Sequence, residues 1–258
     1  MAKVFLALID GMRPDSLTAC NHSFFRELCA TGRYSMDMQT VMPSVTLPCH
    51  MSLFHSVTPE RHGILSNTYV PQVRPVNGLC EVLSAAGKNS AFFYTWEPLR
   101  DLARPISVSR ANYAGGRQYT YEAADRMVTE DAERMLQSGD APDFIFFYQC
   151  QADEMGHKYT WMSDEYIQAV IRSLDNVQRL ARQLHPEYRL IVTADHGGHN
   201  RSHGSEEKED MTIPIFLRHN TIAPGALPEN INIVDIAPTI TSILGVDPDP
   251  DWEGKSLL

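Results

Sequence analysis

Five short apolar runs punctuate the chain: "VFLALI" at 4–9, "SAFFYT" at 90–95, "DFIFFYQ" at 143–149, "RLIVTA" at 189–194 and "IPIFLR" at 213–218. Their apolar residues are consecutive. Alternation with polar residues would mark a strand with one wet face; continuity marks a strand covered on both. Between most of these runs lie stretches of helical period, "NGLCEVLSAAG" (77–87), "YEAADRMVTEDAERMLQ" (121–137) and "DEYIQAVIRSLDNVQRLARQL" (164–184). The second carries an acidic first turn and the first stops at Gly87, both favourable helix-end chemistry. Strands alternating with helices predict a three-layer α/β/α fold with a central, mostly parallel sheet. No repeat or low-complexity linker divides the 258 residues, so one domain spanning 1–258 is expected.

In such folds the ligand site lies beyond the carboxyl ends of the strands. There the first run meets Asp10, the third leads to Asp153, and the fourth to Asp195 and His196. Three carboxylates at one sheet edge repel one another unless cations neutralise them. Helix capping accounts for any one of these aspartates, but poorly for all three with histidines attached. Asp153 and His157 stand in D-x-x-x-H spacing within "QADEMGHKY", and "TADHGGHNRSHG" (193–204) offers Asp195, His196, His199 and His203. That exceeds the ligand set of one tetrahedral ion and points to two divalent ions, whose usual task is to clamp the oxygens of a phosphoryl transfer. Mixed Asp and His ligands favour Zn²⁺, with Mn²⁺ the alternative, over Ca²⁺ or Mg²⁺.

A nucleophile is then expected. Thr46 precedes Leu47-Pro48, and a proline suits a first helical turn, which places Thr46 at a helix N-terminus where an anion is favoured. An ordinary threonine cap reads the same way in isolation. The formal charge of −10 and pI near 5.4 disfavour nucleic-acid polymers and leave a small phosphorylated substrate. The five cysteines form no CxxC pair, so reduced thiols are expected. The first apolar run is short and ends at Asp10, a strand rather than a leader, and no segment is long enough to span a bilayer; a cytoplasmic location is expected.

The ordered segments "ALIDGMRPDSL", "PSVTLPCHMSLFHSVTPERHGILSN", "QADEMGHKY", "TADHGGHNRSHG" and "IVDIAPTITSILGV…WEGKSLL" resemble the alkaline phosphatase superfamily, closest to its nucleotide pyrophosphatase/phosphodiesterase branch. The resemblance implies an alkaline-phosphatase-like fold, here without a large cap, with 68–120 as the segment that sets substrate choice. It implies one metal site of Asp10, Thr46, Asp195 and His196, and a second of Asp153, His157 and a further histidine. His203 is the best match for that histidine and His199 its rival. It also implies that Thr46 forms a phospho-threonine intermediate, that Asn67 holds a phosphate oxygen, and that His50 and His62 are structural. Leu47 and Cys49 stand where diesterases of the family often carry an aromatic residue and asparagine, which puts nucleotide specificity in question. Tyr69, Tyr94, Trp96 and Tyr113 are candidates to line a leaving-group pocket. Diester or pyrophosphate hydrolysis is the expected activity. A phosphomonoesterase or phosphonate hydrolase is the nearest alternative, and a non-catalytic metal- or phosphate-binding module the remote one. A sulfatase is disfavoured by the lack of a C/S-x-P-x-R motif, and a phosphomutase by length.

Overall fold

The computed structural model describes residues 2–103, 106–139, 141–219 and 221–258; Arg104 and Pro105 of the segment 68–120 lie outside the described residues. All five apolar runs form strands. In chain order the strands are β1 (Lys3–Ile9), β2 (Arg33–Gln39), β3 (Ser90–Tyr94), β4 (Arg110–Tyr113), β5 (Phe144–Gln149), β6 (Tyr188–Thr193), β7 (Thr212–Arg218) and β8 (Gly225–Ala226). They make a single sheet ordered β4-β3-β5-β1-β6-β7-β2-β8. β4, β3, β5, β1 and β6 run parallel to one another, and β7 is antiparallel to both β6 and β2. β2, β4 and β8 have no continuous apolar run. "RYSMDMQ" is mostly half-exposed because β2 lies near one edge of the sheet, so its side chains face water as well as core.

Helices cover both faces. Thr46–His55, Leu79–Ala85 and Ile236–Leu244 pack against one another in one layer. In the other, Asp164–Ala181 packs against Pro14–Cys20, Ser23–Thr31, Tyr121–Gln137 and Gln151–Tyr159. The central strands therefore have no wet face: every residue of β5 is buried, and Phe5, Phe144, Phe146 and Phe147 are among the largest fully buried side chains. Among the described residues no helix is long and apolar enough to cross a membrane.

The topology brings the aspartates together. β5 and β6 flank β1 on either side, paired Ile9 with Gln149 and Leu8 with Thr193. Asp10 follows β1 directly, Asp153 lies in the first turn of the helix after β5, and Asp195 lies two residues beyond β6. All three leave the same edge of the sheet.

Candidate metal centre and active site

The chain turns sharply at Gly11 as it leaves β1. Its φ of +67° is left-handed, and a Cβ there would stand 3.2 Å from Cα, Cβ and Oδ1 of Asp153. Glycine meets both conditions without strain. The turn is held from three sides: Gly11 N donates to Asp195 Oδ1 at 3.2 Å, while Trp161 Nε1 and Tyr166 Oη each donate to its carbonyl at 2.9 Å.

Around it lie two adjoining clusters. Asp10, Asp195 and His196 bring ligand atoms within 4.8 Å of one another, and so do Asp153, His157 and His203. Asp10 also lies within that range of Asp153, so the clusters share a border. His196 Nε2 lies 3.3 Å from Asp10 Oδ1 and 3.4 Å from Asp195 Oδ2. Asp153 Oδ1 lies 3.5 Å from His157 Nε2 and 3.7 Å from His203 Nε2.

His196 Nδ1 donates to Gly197 O at 2.8 Å, His203 Nδ1 to Ser44 O at 2.8 Å and His157 Nδ1 to Arg201 O at 3.0 Å. A carbonyl only accepts, so each Nδ1 carries a proton and each ring turns Nε2 toward a carboxylate. Asp10 Oδ1, Asp153 Oδ1 and Asp195 Oδ2 are buried without a hydrogen-bond partner. Lone pairs facing lone pairs in a buried site repel; a cation between them removes the conflict. The second hydrogen bond on each imidazole is what orients a metal-ligating histidine.

The electrostatics agree. Burial raises the Asp10 carboxyl well above its usual range, and the charges of Asp195 and Asp153 raise it further. Burial pushes Asp153 up to about 7 against the pull of His157, and raises Asp195 against that of His50. Burial lowers His196 to about 4; burial and then His196 lower His203 to about 3. His196 and His203 are thus disposed to coordinate without losing a proton, and a cation beside the carboxyls would favour their ionised forms. These donors fit divalent ions of the zinc type.

Thr46 is the first residue of its helix, with Val45 as the cap, so it is not itself the cap. Its Oγ1 lies 3.2 Å from His196 Nε2, and with Nδ1 protonated the hydroxyl is the donor. Asn67 Oδ1 accepts from Leu47 N, the residue after Thr46, at 2.9 Å, and among the described residues its amide N–H₂ has no partner. His50 Nδ1 donates to Thr46 O at 2.8 Å and lies 3.5 Å from Asp195 Oδ2. His62 accepts from Ile64 N and contacts Ser52 Oγ at 3.1 Å, away from both clusters.

His199 turns aside. Its Nδ1 pairs with Asp210 Oδ1 at 2.7 Å, and it belongs to neither cluster. The two preceding glycines serve close packing rather than a left-handed turn. A Cβ on Gly197 would meet Glu209 O at 1.9 Å, and one on Gly198 would meet the Trp161 ring at 2.3 Å. Gly204 takes a φ of +107° where the chain passes Val45.

Beside Asn67 opens a cleft of about 370 Å³, lined also by Trp96, Tyr113, Arg117 and Tyr121. Tyr94 is buried behind it, tilted against Tyr113 at 5.3 Å between ring centroids, and Tyr69 is exposed and not part of the lining.

The sequence reading missed several supporting residues. Tyr148 donates a short hydrogen bond to Asp10 Oδ2, which leaves Oδ1 as the free ligand atom. Asp125 accepts from Thr95 Oγ1 at 3.0 Å and from Cys150 N and Gln151 N at 3.1 Å each, capping the helix that carries Asp153 and His157. Nothing local marks these residues: Asp125 reads as one more charge on an amphipathic helix.

The fold is shared with solved enzymes. Murine ectonucleotide pyrophosphatase/phosphodiesterase 5 superposes with a TM-score of 0.78 at 15% identity, covering 96% of each chain. The phosphonate monoester hydrolase of Silicibacter pomeroyi gives 0.79 at 14% identity, covering 100% of this chain and 76% of that one. At these identities the likeness is one of architecture, and it places the chain among proteins of the alkaline phosphatase fold. The family model described as type I phosphodiesterase / nucleotide pyrophosphatase matches residues 4–212, and the chain belongs to that family. The curated Homo sapiens protein ectonucleotide pyrophosphatase/phosphodiesterase family member 1 is 26% identical over 219 residues, which are 73% of this chain and 23% of that protein. The chain thus spans about a quarter of the length of such relatives.

Proposed function

We propose that the protein is a two-metal phosphoesterase that hydrolyses small phosphodiesters or pyrophosphate-type esters through a phospho-threonine. One observation carries this reading: among the described residues, three buried carboxylate oxygens without hydrogen-bond partners share two adjoining clusters with three imidazoles, and one of these, His196, contacts the Thr46 hydroxyl. Asp10, Thr46, Asp195 and His196 would hold one ion; Asp153, His157 and His203 would hold the other. Bound zinc or manganese would lower the pKa of the Thr46 hydroxyl and offset charge on the phosphoryl oxygens.

The residues of the chain then do the following. Thr46 Oγ1 gives its proton to water and attacks phosphorus in line, the bond to the ester oxygen breaks, and that oxygen leaves with its alkyl or aryl group and takes a proton from water. The free Asn67 amide and the start of the helix Thr46–His55 hold a non-bridging oxygen. Water then attacks the phospho-threonine and Oγ1 leaves. Asn67 is neutral, and the cations nearest in sequence are engaged elsewhere. Arg13 holds Asp15 and Gly198 O, Arg61 holds Arg74 O and faces Asp251, and Lys208 lines a separate surface cleft with Arg13. A neutral donor suits a singly charged phosphodiester better than a dianionic monoester. The net charge of −10 supports a small substrate rather than a nucleic-acid polymer.

The test uses protein loaded with zinc or manganese, bis(nitrophenyl) phosphate and nitrophenyl phosphate. The diester is expected to turn over with the higher kcat/KM. Thr46→Ala is expected to lower kcat by about 10³-fold or more while metal content stays within error of the parent. A monoester preference above about tenfold, or full turnover in Thr46→Ala, overturns the reading.

A further inference from the structure

The cleft beside Asn67 is built for a charged occupant. Its aromatic walls are seated on "AGG" (114–116). A Cβ on Gly116 would lie 2.0 Å from the Tyr121 ring, and one on Gly115 would lie 2.8 Å from the Tyr113 hydroxyl. Side chains at these two positions would push both rings out of place, so the pair of glycines fixes the walls. Gly116 N donates to Thr95 O at 3.1 Å, and Thr95 in turn donates to the buried Asp125, which ties the floor of the cleft to the core. Trp96 and Pro98 close the other side.

Two charged groups line this cleft, Glu97 and Arg117. Glu97 is matched by a short ion pair with Arg100. Arg117 is exposed and has no ion-pair partner among the described residues. The cleft joins the reaction centre through Asn67, whose Oδ1 receives the N–H of Leu47, the residue after Thr46.

We propose that this cleft receives the second ester group of the substrate and that Arg117 selects an ester group bearing its own negative charge, a carboxylate or a further phosphate. The inference rests on the phosphodiesterase reading above and names the substrate class of that site. A planar guanidinium pairs in bidentate fashion with either anion.

The experiment compares two nitrophenyl phosphodiesters whose second ester is phenyl or 4-carboxyphenyl, at equal metal loading. The carboxylated diester is expected to have at least tenfold higher kcat/KM, and Arg117→Gln to bring the two within about twofold. Arg110→Gln removes the same charge from the opposite end of β4 and is expected to preserve the preference, which separates a local pairing from net charge. A second arm measures binding of 4-carboxyphenyl phosphate and phenyl phosphate by calorimetry, with no turnover required. If neither diester is hydrolysed but the carboxylated ligand binds at least tenfold tighter in an Arg117-dependent way, the hydrolytic reading falls and the subsite stands. Equal kcat/KM and equal binding of the two classes, or a preference that survives Arg117→Gln, overturns the proposal.

Discussion

Gly11→Ala separates the cost of a backbone shape from the cost of crowding a metal ligand. Gly11 has a φ of +67°, and an added Cβ would stand 3.2 Å from three atoms of Asp153. A left-handed conformation costs an alanine ~1–2 kcal/mol. Overpacking a rigid site adds ~1–2 kcal/mol, because Asp153 must move by a few tenths of an ångström. The total is ~2–4 kcal/mol, and at ~2–4 °C per kcal/mol for a domain of this size the fall in Tm is on the order of 10 °C. Gly63 supplies the control. Its φ is +78°, yet a Cβ there meets nothing within 4 Å. Gly63→Ala therefore carries the backbone cost alone, ~1–2 kcal/mol. Urea unfolding in the presence of a chelator measures both variants without a contribution from bound metal. Metal titration then reads the second consequence: Gly11→Ala is expected to weaken one of two ions by at least about tenfold, Gly63→Ala neither. Equal stability losses in the two variants with unchanged metal affinity would refute the claim that Gly11 is required by Asp153.

Other substitutions probe the rest of the site. His203→Ala is expected to lose one of about two bound equivalents of metal and His199→Ala to lose none, as read by elemental analysis; the reverse pattern would reassign the ligand. Asp125→Ala strips the acceptor from two backbone N–H groups and the Thr95 hydroxyl, and is expected to cost ~2–4 kcal/mol in denaturant melts, with a loss below about 0.5 kcal/mol refuting its capping role. The His199–Asp210 pair predicts a pH window. The hydrogen bond to Asp210 raises His199, so its stabilisation is full below 6.5 and is lost as pH rises through the raised folded value. Burial pushes Asp210 up, but hydrogen bonds from His199 and Ser205 outweigh it and leave it lowered, so its share is present above 3.8 and is lost as pH falls through the lowered value. The stability gap between the parent and His199→Ala should therefore be wide near about pH 5.5 and narrow near about pH 9; a gap that widens with alkalinity contradicts the pairing.

By itself the sequence determined the five buried strands, the class of fold and the aspartates that end three of those strands. A fully covered strand must be apolar at every position, and that period is local and legible. The ordered motifs supplied Thr46, Asn67 and the ligand set as a resemblance. Only the tertiary structure decided which histidine faces Asp153. His199 and His203 follow the same strand four residues apart, and what separates them is remote: Ser44 O receives His203, while Asp210 draws His199 away. The role of Gly197 and Gly198 was likewise hidden, because the atoms that exclude a side chain there belong to Glu209 and Trp161. β2 escaped notice because a strand near the sheet edge keeps polar side chains, and Arg117 because an exposed arginine becomes a feature only when folding sets it in one cleft with Asn67, 50 residues back in the chain. Local period fixes what each segment becomes; the order in which β5, β1 and β6 lie side by side fixes which side chains share a site, and that order is a property of long-range packing.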